Sequence, residues 1–202
     1  MKGNGKKLSV FVMIVALAIF MSVAAASADG EKYRKTLHGE YAFTGSSACT
    51  IVPGGFNPNF TPKNPELAAI GSNFWEGVYT FNSNGKGKMD TQQCTNDGAN
   101  AMFPYSSWCV RLSWEFEYEI DGGEITFTFI PHTYSLEHFA GPMVGMKLLP
   151  PNDAVINQPW TGRISPDGKT LSVFYGGPCK LTIPEFGIEL ICNGVHQGLK
   201  TR

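Results

Sequence analysis

Residues 108–130 read WCVRLSWEFEYEIDGGEITFTFI. In the first arm Trp108, Val110, Leu112, Trp114, Phe116, Tyr118 and Ile120 alternate with Cys109, Arg111, Ser113, Glu115, Glu117 and Glu119. Strict period-two alternation marks a strand buried on one face. In the second arm Ile125, Phe127 and Phe129 alternate with Glu124, Thr126 and Thr128. Asp121-Gly122 between them suits a two-residue type I′ turn, which sets Tyr118 opposite Ile125 and Phe116 opposite Phe127. A three-residue loop would set Phe116 opposite Thr128 and put one apolar face into water, so it is rejected. The aromatic face of this hairpin must be covered by the rest of the chain.

The flanking sequence supplies more strands. LHGEYAFT (37–44) alternates and predicts a first strand, ended by Gly45, Ser46 and Ser47. Residues 53–65 hold four prolines and read as a loop. Asn64-Pro65-Glu66 predicts a short helix to Ile70, with Asn64 as cap and Gly71 as stop. Phe74–Phe81 and Gly87–Thr91 form a hairpin around Asn84-Gly85, followed by a polar loop over 92–107. Short strands follow near 133–139, 144–148, 159–164 and 170–175, the last two flanking the turn Ser165-Pro166-Asp167-Gly168. Cys179–Ile183 and Ile188–Cys192 make a last hairpin, and 195–202 read as a tail. Eight to ten consecutive short strands with little helix predict an all-β fold. The expected form is an antiparallel up-and-down barrel, and the alternative is a two-sheet β-sandwich.

The chain divides into residues 1–28 and 29–202. Met1–Ala28 has the parts of a secretory signal peptide: Lys2, Lys6 and Lys7, an apolar run over 8–23, and Ala26-Ser27-Ala28 before the expected cut. The apolar run is shorter than the ~20 residues of a typical span, so a cleaved leader is favoured over an anchor, and no stable membrane insertion is expected. The remainder is one domain in length. It carries 13 Lys and Arg against 17 Asp and Glu, a net charge of −4, with no basic run, which excludes nucleic acid as a natural partner. The predicted location is periplasmic or extracellular.

All five cysteines follow the leader, so disulfides are the default. In KLTIPEFGIELIC a four-residue loop places Ile183 opposite Ile188, Leu181 opposite Leu190 and Cys179 opposite Cys192. A Cys179–Cys192 disulfide is therefore predicted. Cys94 with Cys109 is the best second pair and leaves Cys49 odd, while Cys49–Cys94 stays open as its rival.

LHGEYAFTG, YTFNSNGKGKM and ISPDGKTLSV resemble the opening strand and later hairpins of small exported bacterial proteins. The Gly39-Glu40-Tyr41 triplet is similar to the Gly-x-Trp motif that closes the floor of calycin or lipocalin-like barrels, with Tyr41 in place of Trp. The resemblance implies a barrel with an interior ligand and carries over no catalytic residue.

The chemistry-bearing residues do not form a reactive constellation. His132 and His138 on one strand would lie ~20 Å apart, too far to share a metal. Glu115, Glu117 and Glu119 lie ~7 Å apart in sequence order, but on the face opposite the aromatics, where they read as a solvated row. No phosphate loop, serine-hydrolase elbow or zinc spacing is present. Neither an enzyme nor a cofactor is expected. The expected role is binding a small hydrophobic ligand inside the barrel, with Trp114, Phe116, Phe127 and Phe129 as the candidate contacts. The rival is a structural or interaction module of the cell envelope with a filled core. A third reading, an outer-membrane barrel, would turn the aromatics to lipid and the Glu row inward.

Overall fold

A computed structural model describes residues 36–97, 107–175 and 179–202. The leader and its cut lie outside the described residues. Twelve strands follow in chain order: β1 Gly39–Pro53, β2 Ala69–Phe81, β3 Lys86–Asp97, β4 Ser107–Asp121, β5 Glu124–Phe129 and β6 Ser135–Ala140, then β7 Lys147–Leu148, β8 Val155–Ile156, β9 Trp160–Ile164, β10 Thr170–Tyr175, β11 Lys180–Ile183 and β12 Ile188–Lys200. The fold is all-β and antiparallel. Strands β1-β2-β3-β4-β5-β9-β10-β12 pair in that order, and β12 returns to pair with β1, so eight strands form a closed ring.

The alternation in β4 decides which side faces in. Val110, Leu112, Trp114, Phe116 and Tyr118 are buried, while Arg111, Glu115, Glu117 and Glu119 are exposed. The acidic row thus lies outside, and the interior is aromatic. That is the reverse of a lipid-facing barrel. The candidate helix at 64–70 is only a 3-10 turn, Pro65–Leu67, because Ala69 already opens β2. Asn64 does not cap it; its side-chain amide donates to the Pro53 carbonyl instead.

Several strands run longer than their local sequence implies. β1 passes straight through Gly45-Ser46-Ser47, and β12 runs through the expected tail. These two errors have one cause. Gly45 sits directly opposite His196 across the β1–β12 pair, and a Cβ on Gly45 would lie 2.3 Å from the His196 ring. The glycine makes room for a large side chain rather than ending a strand. β3 likewise extends to Asp97, so residues 92–97 of the expected polar loop are ladder.

The central hairpin also differs by one turn position. Asp121 pairs with Glu124, Tyr118 with Phe127 and Phe116 with Phe129. The turn residues are Gly122 and Gly123, with φ of 55° and 88°. A type I′ turn needs positive φ at both central positions, which the glycine pair supplies with no Cβ at either. Both registers keep the same faces inward, so burial alone could not choose between them.

The closed end of the ring is filled. Phe116 and Phe127 pack edge to face at 5.2 Å, Phe81 meets Phe116 at 5.5 Å and Tyr118 at 5.2 Å. Each such buried side chain contributes roughly 1.5–3 kcal/mol by burial, with further gain from edge-to-face geometry. Leu37 and Tyr41 seal this end, with Tyr41 donating to the Gly168 carbonyl and the Lys200 ammonium 5.8 Å over the Tyr41 ring.

Two disulfides are present, Cys49–Cys192 and Cys94–Cys109. The second agrees with expectation. The predicted Cys179–Cys192 bond is corrected: Cys179 is a free, buried thiol. The predicted register was nevertheless the observed one, with Ile183 opposite Ile188 and Leu181 opposite Leu190. The Cys192 amide donates to the Cys179 carbonyl. Cys192 has a neighbour on each side, and its other neighbour, Cys49 on β1, holds the bond. No local pattern reveals that pairing, because ring closure brings β1 to β12.

Candidate apolar binding cavity

The ring does not stay closed along its whole length. β4 pairs with β5 over Phe116–Asp121, but over Cys109–Ser113 it pairs with β6. β12 pairs with β10 over Gly194–Leu199, but over Ile188–Ile191 it pairs with β11. β6 continues to β7 and β11 to β8, and no pairing joins β7 to β8 among the described residues. Both long strands thus change partner at the same end. The four short strands flare outward and leave a gap.

A cavity of about 310 Å³ lies inside this flared end. Its floor is aromatic, from Trp75, Trp114 and Trp160 with Met89. Its walls are aliphatic: Val110 and Leu112 from β4, Leu136 from β6, Ile156 from β8, Leu181 and Ile183 from β11. Met143 and Met146 from the β6–β7 connection complete the rim, where flexible thioethers adapt readily to a guest.

Of the four sequence-predicted contacts, Trp114 lines this cavity. Phe116 and Phe127 belong to the filled end and are fully buried there. Phe129 packs between Trp114 and Trp160, at 4.9 Å and 4.7 Å, and supports the floor from below. Alternation tells which side chains point inward, not how far along the axis the ring opens. The signal for the missed walls was the run of short, Pro- and Gly-broken strands between 135 and 156, too short to complete the ring.

A layer of buried polar groups separates the filled end from the cavity. His196 stacks on Phe43 at 4.6 Å, with Nδ1 2.6 Å from the Tyr79 hydroxyl and Nε2 3.2 Å from the Tyr175 hydroxyl. Burial holds its pKa down at about 3, so the imidazole is neutral, donating from one nitrogen and accepting at the other. Beside it, Ser47 Oγ accepts from Trp75 Nε1 and Asn73 Nδ2, and Asn73 Oδ1 accepts from Gln93 and Thr95. This network satisfies itself.

Two buried polar atoms at the cavity differ. Trp114 Nε1 donates to the Ile130 carbonyl, but Trp160 Nε1 and His138 Nδ1 have no hydrogen-bond partner. His138 is buried and burial lowers its pKa, whereas His38 and His132 are exposed. His138 owes its position to a β-bulge: Cys109 pairs with Ala140 and Val110 with His138, leaving Phe139 extra. Among the described residues no His, Cys, Asp and Glu cluster could hold a metal.

No protein-family model matches the chain, and no curated protein matches it either. One solved structure, Rv2717c from M. tuberculosis, aligns over 83% of this chain and 94% of that one, at 15% identity and a TM-score of 0.31. That likeness is too loose to carry an argument. Nor do the described residues include a helix long and apolar enough to cross a membrane, which says nothing about crossing by strands. The two disulfides are consistent with an oxidising, exported location.

Proposed function

We propose that the protein is an exported, non-enzymatic β-barrel that binds a small hydrophobic molecule in its open end. The observation that carries this reading is the 310 Å³ cavity, walled by aliphatic side chains over a tryptophan floor. Sites for small ligands are typically ~300–1,000 Å³, mostly apolar, with few polar groups. At a liquid-like share of ~30 Å³ per small group, the space suits roughly ten non-hydrogen atoms. The leader-like start and the disulfides support export, and the Gly39-Glu40-Tyr41 end closure is in keeping with a lipocalin-like barrel. The cavity favours this over an envelope module with a filled core.

The test is a fluorescence titration with 1-bromonaphthalene, an apolar heavy-atom quencher. Because Trp75, Trp114 and Trp160 form the floor, saturable quenching is expected, with a dissociation constant on the order of 10 μM. Leu181→Trp should fill the cavity and weaken binding tenfold or more while the protein stays folded. Linear, non-saturable quenching that Leu181→Trp leaves unchanged would refute the reading and leave the envelope module.

A further inference from the structure

The polar layer beside His196 uses up its amide donors within itself and leaves one acceptor over, on the cavity side. Gln93 stands on β3 between Trp75 of β2 and Val110 of β4, and all three side chains line the cavity. Gln93 is more than nine-tenths buried, at 7% exposure. Its Nε2 donates to Asn73 Oδ1 at 2.9 Å and to Thr95 Oγ1 at 3.0 Å, which engages both amide hydrogens. Among the described residues no hydrogen bond reaches Gln93 Oε1. Unlike Trp160 Nε1 and His138 Nδ1, that oxygen is not sealed in by protein, and the space an inward-facing side chain meets here is the cavity.

Which end of the Gln93 amide meets the cavity is fixed by a chain of donors. An indole N–H can only donate, so Ser47 Oγ accepts from Trp75 Nε1 at 2.9 Å. The end of the Asn73 amide that also meets Ser47 Oγ, at 3.0 Å, lies 3.0 Å from Cys49 Sγ. A disulfide sulfur carries no hydrogen, so only an NH2 group can bond to it, and Nδ2 takes that end. Asn73 Oδ1 then faces Gln93 and Thr95, and the Thr95 hydroxyl donates to it at 2.6 Å. Gln93 meets that acceptor with its own NH2, so its carbonyl oxygen is the end left for the cavity. The Cys49–Cys192 disulfide thus sets the polar direction inside the cavity. An amide whose N–H groups are both engaged is polarised, which strengthens its oxygen as an acceptor.

Resting on the binding function proposed above, we infer that Gln93 Oε1 is the polar contact for the guest, and that the guest is an apolar molecule carrying an uncharged hydrogen-bond donor, a hydroxyl or an N–H. Alcohols, phenols and indoles belong to this class. Ethers and ketones do not, because their oxygen would meet Gln93 Oε1 as one acceptor against another. None of the described lining residues is Asp, Glu, Lys or Arg, so a charged head group would be buried without a counter-ion. Apolar walls discriminate weakly among guests of one size, whereas a placed polar group rejects the guest that cannot pair with it.

Displacement of 1-bromonaphthalene tests this with three competitors: 1-octanol, its isomer di-n-butyl ether, and octylammonium at pH 7. The wild-type protein should favour the alcohol over the ether, and the alcohol-to-ether affinity ratio should fall about tenfold in Gln93→Met. Methionine fills similar space without the carbonyl, and Asn73 Oδ1 keeps its bond from Thr95. The ratio cancels the different hydration of the two guests, and retained 1-bromonaphthalene binding shows that the variant is folded. Octylammonium, a donor that carries a charge, should bind at least about tenfold more weakly than 1-octanol. If Gln93→Met does not fold, the wild-type protein still decides the matter: 1-octanol should move the Gln93 side-chain carbonyl carbon resonance downfield, and the ether should not. A ratio unchanged in the folded variant, a carbonyl resonance that 1-octanol leaves in place, or octylammonium binding as tight as the alcohol overturns this inference while leaving the apolar cavity function standing. Absence of saturable 1-bromonaphthalene binding overturns both.

Discussion

Replacing Cys192 by alanine should lower the unfolding free energy by about 5 kcal/mol, while replacing its partner Cys49 should cost only about 2 kcal/mol. The Cys49–Cys192 bond joins residues 143 apart, and closing so long a loop restricts the unfolded chain by ~5 kcal/mol in the chain-entropy model. Removing Cys192 loses all of it. When Cys49 is removed, Cys192 still faces Cys179 across β11 and β12, as the Cys192 amide to Cys179 carbonyl bond shows. In an oxidising refolding buffer those two should join. They are 13 apart in sequence, so their bond restores ~3 kcal/mol. Urea unfolding measures the difference, and thiol counting in denaturant checks its cause. Cys192→Ala should show two free thiols, and Cys49→Ala none. Two free thiols in Cys49→Ala, or equal destabilisation by both substitutions, would contradict the three-strand arrangement.

Acid should destabilise the fold through His196 well before most carboxylates protonate. The folded pKa is about 3 against an ordinary 6.5, because burial disfavours the imidazolium. Above pH 6.5 the residue is neutral folded or unfolded, and its environment imposes no penalty. Below 6.5 the unfolded chain binds a proton that the folded chain refuses. Stability then falls by about 1.4 kcal/mol per pH unit, reaching ~5 kcal/mol by pH 3. His196→Gln keeps a donor and an acceptor between Tyr79 and Tyr175 but does not titrate. Its stability curve between pH 6 and 4 should be flatter than wild type by about 1.4 kcal/mol per unit. In the wild-type protein, the His196 ring resonances should not titrate between pH 7 and 4. Parallel stability curves, or a titration near pH 6, would mean that His196 is not sealed within the aromatic layer.

How much of this was legible in the sequence depends on the range of the contact. Local alternation gave the all-β class, the inward face of β4 and the outward acidic row, because each strand's pattern reflects its own burial. Adjacent pairing was also readable: Leu181 opposite Leu190 follows from the four-residue loop between them. The Gly122-Gly123 turn was misplaced because two registers bury the same residues and only backbone torsion separates them. The Cys49–Cys192 bond, the full length of β1 and β12, and the seat of His196 against Gly45 all depend on ring closure between the two ends of the domain. The site followed the same rule. Trp114 was found because it points inward. Its fellow candidates Phe116 and Phe127 also point inward, but toward the filled end. Where the ring opens is set by the partner exchanges of β4 and β12, which no single strand encodes.

Locating a bound guest tests the central claim most directly. In the complex with 1-bromonaphthalene, intermolecular NOEs should connect the naphthalene protons to the methyl groups of Leu136 on β6, Ile156 on β8, and Leu181 and Ile183 on β11. NOEs confined to exposed apolar side chains of the outer surface, such as Ile70 and Leu199, would contradict it.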